Sequence, residues 1–419
     1  MRVFGICVAA ILLINTAASG QEGRDGGFSI KSGLGYDFIS QEYYLDSLLV
    51  DTLDVILKTN YLDDIKGIVE FEYLPYRGRR LELRTTYEQT QEDIRARVYN
   101  RWRTTLGKLP LNLRSELDYR QTYSGTEESG DDYLFGRFSG RLQAPVGEWT
   151  SFWGQLQGDF VHFDIVSPYS YNHYRVGGSI GFTRTFESFS ALDADVFILT
   201  RTVPDSSALN YVNIGLEGSF FGLYETGNID IYQRLEYKDY SLPDDEDDYT
   251  RFELDVRNKL TLSSRWFSRQ EFNLESAFFS PNDPLNLNFA RFRLTLLAGI
   301  EKGGLSVGAG PSLELLTEQN SDISTGEDYI EGGLEISLDH IAPGSFFGSL
   351  ESVTGSRSLQ NDNPYSTSFT FERLNLISDW NLVGGLNLNI LLSAEWEWHE
   401  QESENNRIVL VSSGLTYTF

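Results

Sequence analysis

The chain closes with IVLVSSGLTYTF, Ile408 to Phe419. Side chains of a strand alternate between two faces. Val409, Val411, Ser413, Leu415, Tyr417 and Phe419 therefore share one face, and Ile408, Leu410, Ser412, Gly414, Thr416 and Thr418 share the other. The first row is apolar at most positions and ends on two aromatics. Such a run is long for a soluble strand, whose usual length is about 5–6 residues.

The same period recurs upstream. Phe28, Ile30, Leu34, Tyr36 and Phe38 share a parity, with Ser29, Lys31 and Asp37 between them. Leu111, Leu113, Leu117 and Tyr119 alternate with Asn112, Arg114, Glu116, Asp118 and Arg120. Ala290, Phe292, Leu294, Leu296, Ala298 and Ile300 form one apolar row, and Leu386, Leu388, Ile390, Leu392, Ala394, Trp396 and Trp398 another. Each reads as a strand with one oily and one wet face. A soluble sandwich or solenoid would share this alternation, but three features exclude it. Many runs have about 10–13 residues, the length a tilted strand needs to cross a bilayer. Connections alternate in length: short at residues 107–110, 144–148, 261–265 and 301–304, longer and polar at 124–132, 241–248, 316–328 and 355–368. Aromatics gather at strand ends, with Trp149, Phe152, Trp153, Trp266 and Phe267 towards one rim. Tyr240, Tyr249, Phe278, Phe279, Phe289, Trp396 and Trp398 lie towards the other, so two interfacial girdles are expected. Counting back from Phe419 predicts twenty strands, roughly 18 to 22. An even count makes residues 40–58 a long first outer loop, followed by a strand ending near Leu74.

Leu415, Tyr417 and Phe419 resemble the C-terminal assembly signal of Gram-negative outer-membrane barrels, a terminal aromatic preceded by apolar residues at alternate positions. The resemblance is to a broad, porin-like class. It implies an all-β fold: a transmembrane antiparallel up-and-down β-barrel in the cell outer membrane. Its partners would be the barrel assembly machinery, membrane lipid and lipopolysaccharide. Residues 1–20 read as a signal peptide: Arg2 is followed by an apolar run over residues 3–14 and by the small residues Ala17, Ala18, Ser19 and Gly20. The barrel then occupies residues 21–419. Only residues 21–27 precede its first strand, which leaves no room for a plug domain.

Composition narrows the chemistry. The only cysteine, Cys7, lies in the signal segment, which excludes disulfides and Cys-based metal sites downstream. No cofactor or metal is expected. A formal charge of −27 argues against nucleic acid as a partner. The four histidines are His162, His173, His340 and His399. His399 beside Glu397 and Glu400, and His162 near Asp159 and Asp164, lack a recognisable nucleophile motif, so no catalytic residues are expected and the chain does not read as an enzyme.

The polar rows carry the functional expectation. Arg95, Arg97, Arg101 and Arg103 share one parity with Tyr99, opposite Ile94, Ala96, Val98 and Trp102. An arginine facing lipid at mid-depth costs about 2–4 kcal/mol, so this row must face the lumen. Arg84, Arg114, Arg120, Arg137 and Arg141 join it as pore-lining residues, with Glu82, Glu88, Glu116 and Asp118 among them. The row can be a salt-bridge ladder that props the wall, a basic field favouring anions, or both if arginines outnumber carboxylates. Leu45, Leu48, Leu49, Val50 and Leu53 are too apolar for a solvated loop, and residues 45–54 could fold inward and narrow a pore, form an extra strand or pack on the rim. Acidic clusters at Glu127–Asp132, Asp244–Asp248, Glu318–Asp328 and Glu400–Glu404 read as a solvated rim that could also hold divalent ions against lipopolysaccharide. The expected function is a porin-like channel for small hydrophilic solutes, with an arginine-lined lumen favouring anions. The alternative is a closed structural or adhesive barrel whose acidic loops bind ions, lipopolysaccharide or a protein partner.

Overall fold

The structure is a computed structural model that describes residues 27–45, 55–74, 81–90, 93–122, 132–164, 171–241, 248–280, 288–319, 328–359, 367–399 and 405–418. The expected signal segment, most of the acidic loop residues, residues 46–54 and Phe419 lie outside that set. The strands are β1 Gly27–Leu45, β2 Val55–Leu74, β3 Leu81–Gln89, β4 Asp93–Leu106, β5 Leu109–Thr122, β6 Tyr133–Val146 and β7 Thr150–Phe163. Then come β8 His173–Thr185, β9 Ala191–Thr202, β10 Tyr211–Tyr224, β11 Gly227–Tyr240, β12 Asp248–Thr261, β13 Trp266–Ser280 and β14 Asn288–Lys302. The last are β15 Leu305–Gln319, β16 Tyr329–Ala342, β17 Phe346–Leu359, β18 Phe369–Asn381, β19 Leu386–His399 and β20 Asn406–Thr418.

Each strand pairs antiparallel with its sequence neighbours, and β1 pairs with β20, so one sheet of twenty strands closes on itself. Closure leaves no open edge, the condition for crossing a bilayer with strands. Strands about 4.8 Å apart, tilted by roughly 40°, make twenty of them a ring about 40 Å across between backbones.

The first outer loop differs from the sequence expectation. Residues 40–45 and 55–58 are not loop: the β1–β2 hairpin continues to Leu45 opposite Val55. The register shifts between Ile39 and Ser40, where Tyr61 is passed over. Both arms lengthen together, so the hairpin grows without changing the even strand count. The next strand does end at Leu74. Similarly, β15 runs to Gln319 and β17 to Leu359, so the connections expected from 316 and 355 start later.

The two rims close their hairpins differently. Among the described residues, turns at the rim of the chain's C-terminal end are tight; Gly303 and Gly304, at φ +60° and +84°, reverse the chain between Lys302 and Leu305. Glycine reaches these left-handed angles without a steric penalty. At the outer rim a short polar side chain before the returning strand accepts an amide N–H from the end of the outgoing strand. Asp132 takes that of Thr122 at 2.6 Å, Asn172 that of Phe163 at 2.7 Å and Asn210 that of Val203 at 2.6 Å. Asp248, Asn288, Asp328, Ser368 and Asn405 do the same for Tyr240, Phe279, Glu318, Leu359 and His399. Three carboxylates assigned to the solvated rim thus terminate strands, at positions that recur every 37 to 40 residues.

Candidate functional site

Ion pairs between non-adjacent strands identify the inner wall. Side chains converge on the concave side of a cylinder and diverge on the convex side, so such pairs form only inside. Arg269 on β13 reaches Glu335 on β16 at 3.4 Å, Arg373 on β18 reaches Glu331 on β16 at 2.6 Å, and Arg141 on β6 reaches Asp193 on β9 at 3.8 Å. The opposite parity carries Leu156 and Ile180, each 71% exposed, with Val98, Trp102, Ile198, Leu216, Leu296, Leu415 and Tyr417. An apolar exterior around a polar interior suits lipid outside and water within.

Arg95, Arg97, Arg101, Arg103, Arg114, Arg120, Arg137 and Arg141 all have the inward parity of β4–β6, and Arg84 has that of β3. Six of these nine expected residues are ion-paired. Arg84 meets Glu70 at 3.4 Å; Arg95 and Arg97 share Asp118 at 2.5 and 3.4 Å; Arg120 meets Asp93 at 2.7 Å; Arg137 meets Asp159 at 3.9 Å; Arg141 meets Asp193. Arg101, Arg103 and Arg114 make no ion pair among the described residues. Arg101 stands directly opposite Arg114 across β4–β5, donating only to Asn112 Oδ1 at 3.3 Å, and Arg103 stands opposite Asn112. The free arginines thus lie at the end nearest the tight β4–β5 turn and the other paired ones further from it, but Arg141, paired with Asp193, stands beside Asn112 at the level of the free ones. Across β4–β6, eight inward arginines face three inward carboxylates, Asp93, Glu116 and Asp118.

The opposite arc has the reverse balance. Ring order sets β15 across from β5. On β15–β19 the inward parity holds Glu314, Glu318, Glu331, Glu335, Asp339, Glu351, Asp379, Glu395 and Glu397 against Arg357 and Arg373. Glu331, only 6% exposed, bridges Arg357 at 2.7 Å and Arg373 at 2.6 Å. Arg373 also binds Glu395 at 2.6 Å, and Arg293 binds Glu314 at 2.5 Å. These groups line a polar recess of about 470 Å³ in the wall. The pairing partners missed by sequence reasoning, Asp159, Asp193, Arg175 and the β12–β19 lattice, lie on other strands of the same parity.

The girdle expectation is corrected. Phe152, Trp266, Phe278, Trp380 and Trp398 do face outward, exposed by 42% or more. Trp153 and Phe267 instead point inward and are buried, and Arg141 stacks on Trp153 at 3.8 Å. Tyr240, Tyr249, Phe279 and Phe289 also share the inward parity. With Tyr211 and Tyr329 they form an inner collar at the outer mouth: Tyr211 meets Tyr240 at 5.7 Å, and Tyr249 meets Phe279 at 5.6 Å. Lys238 and Arg357 lie over Tyr211 and Tyr329 at 4.6 and 4.0 Å. Strand ends fix depth, but parity chooses the face, and here the faces share one depth.

His399 Nδ1 lies 2.9 Å from Thr367 Oγ1, and its Nε2 lies 4.0 Å from Glu397, with the ring against Phe369 at 4.7 Å. The contacts tie the β17–β18 connection to β19. His162 has the outward parity of β7 and is exposed, turned away from Asp159. Among the described residues no three His, Cys, Asp or Glu side chains converge as a metal site.

No protein-family model and no curated protein matches the chain. Solved structures share its fold at low identity. A BenF-like porin from Pseudomonas fluorescens Pf-5 aligns with TM-score 0.51 and 10% identity, over 94% of this chain and 99% of the porin. OpdQ from Pseudomonas aeruginosa gives 0.51 and 10%, over 94% and 97%. The FrpB iron transporter from Neisseria meningitidis gives 0.52 and 10%, over 95% of this chain and 82% of the transporter. With its closed sheet, apolar exterior and charged interior, the chain has a twenty-stranded transmembrane β-barrel fold, similar to that of these Gram-negative porins.

Proposed function

We propose that the barrel is a passive channel for small hydrophilic solutes that favours anions, with β4–β6 as its selective wall. The observation that carries this reading is the unneutralised trio Arg101, Arg103 and Arg114 on an arc already rich in arginine. A ring about 40 Å across leaves room for water inside the side-chain layer. A unit charge about 10 Å from a passing ion contributes about 0.4 kcal/mol in water, reduced to about 0.15 kcal/mol by 0.1 M salt. Attraction of anions and repulsion of cations both count, so three charges shift the anion-to-cation permeability ratio about fivefold.

Reversal potentials in planar bilayers test this. Replacing Arg101, Arg103 and Arg114 by Gln should lower the ratio about fivefold at 0.1 M salt, with the barrel still folded. An unchanged ratio would remove the trio from selectivity. The ion-pair lattice around Glu331 favours a second reading, a closed structural barrel. Folded protein that gives no conductance would select it.

A further inference from the structure

We infer that the lipid-facing wall of β6–β10 holds a bound phospholipid, its phosphate on Arg184 and an acyl chain in the adjoining groove. The inference rests on the outer-membrane location and not on the channel reading. Two cross-strand rows on the outer face build the groove. One is Leu142, Gly154, Ile180, Val196 and Leu216; the next is Ala144, Phe152, Phe182, Ala194 and Gly218. Gly154, Ala144 and Ala194 sink between larger neighbours, leaving a depression of about 590 Å³ whose lining is almost wholly apolar.

Arg184 occupies the next row towards the rim, between Thr150 and Leu192 and two residues beyond Phe182. Its parity is outward and it is exposed. Phe186 stacks on the guanidinium at 5.1 Å, and no carboxylate pairs with Arg184 among the described residues, although Glu148 and Glu187 stand in the two adjoining turns. An outward arginine is tolerated at the interface and not at mid-depth, and its natural counter-charge there is a headgroup phosphate. The turn after β8 supports that depth. Phe189 is 80% exposed and sits at φ +61°, an uncommon angle for a bulky side chain, which aims it out of the wall. Aromatic rings favour the headgroup level. Against a second copy of this chain, Arg184 would be desolvated on an apolar wall; a phospholipid supplies both the chain for the groove and the charge for the arginine.

Native mass spectrometry of the delipidated, folded barrel titrated with dioleoyl phosphatidylglycerol tests the site. One adduct should dominate at low lipid. One arginine at an anionic headgroup is worth about fivefold in affinity, so Arg184→Ala should weaken that adduct about fivefold. Ala194→Phe, which fills the groove, should abolish it. Heat-modifiable migration on a gel verifies that both variants fold. Equal adduct formation by wild type and both variants would overturn the proposal. So would dimers or trimers that Ala194→Phe dissociates, since a second copy would then cover the groove.

Discussion

Asp118 offers the most direct test of how the inner wall sets charge. It is 4% exposed and holds Arg95 at 2.5 Å and Arg97 at 3.4 Å. Asp118→Asn keeps the side-chain shape and one acceptor oxygen but removes the charge, so the wall gains one net positive charge beside Arg95 and Arg97. With the ion about 10 Å away, one charge is worth about 0.15 kcal/mol at 0.1 M salt and about 0.3 kcal/mol at 0.01 M. The anion-to-cation ratio should rise about 1.7-fold at 0.1 M and about 2.7-fold at 0.01 M. Both arginines are about one-third exposed, so the stability loss should be about 1–2 kcal/mol, below that of a fully buried pair. Reversal potentials under a salt gradient, at both ionic strengths, measure the first effect; urea unfolding in vesicles measures the second. A ratio that stays constant, or a change that does not grow as salt falls, would refute the electrostatic reasoning.

Two further outcomes follow from the wall's architecture. Glu331→Gln leaves Arg357 and Arg373 without their shared buried counter-charge and should cost about 3 kcal/mol in urea unfolding. On β9, Ile198→Arg places a charge in lipid and should cost about 2–4 kcal/mol, whereas its inward neighbour Leu199→Arg should cost about 1 kcal/mol or less; equal costs would contradict the assignment of faces.

The inner collar and the strand caps show how far local pattern reaches. Tyr249 has the parity of Arg251 and Glu253, and Trp153 that of Gln155 and Asp159, so their inward direction was legible from neighbouring charges. Clustering at strand ends concealed it, because that cue reports depth alone. The caps also left a trace: Asx or Ser residues before returning strands, spaced by one hairpin. Their role needed the partner amide, which the hairpin brings back from nine or ten residues earlier in most cases.

The sequence by itself determined that the chain is a barrel, where its strands alternate, and that the arginines of β4–β6 point inward. Alternation is a local property, and lipid makes the wrong parity too costly. It also carried the Leu415 and Tyr417 row that began the reading, which lies on the lipid face of the closing strand. The tertiary structure alone decided which arginines are neutralised. Asp193 reaches Arg141 from three strands away, while Arg101 and Arg114 meet each other across one ladder. It also decided that small residues of β6–β10 align into a groove beside Arg184. The reason is register: cross-strand neighbours are set by how each hairpin slides against the next, and alternation along a single strand contains no information about that slide.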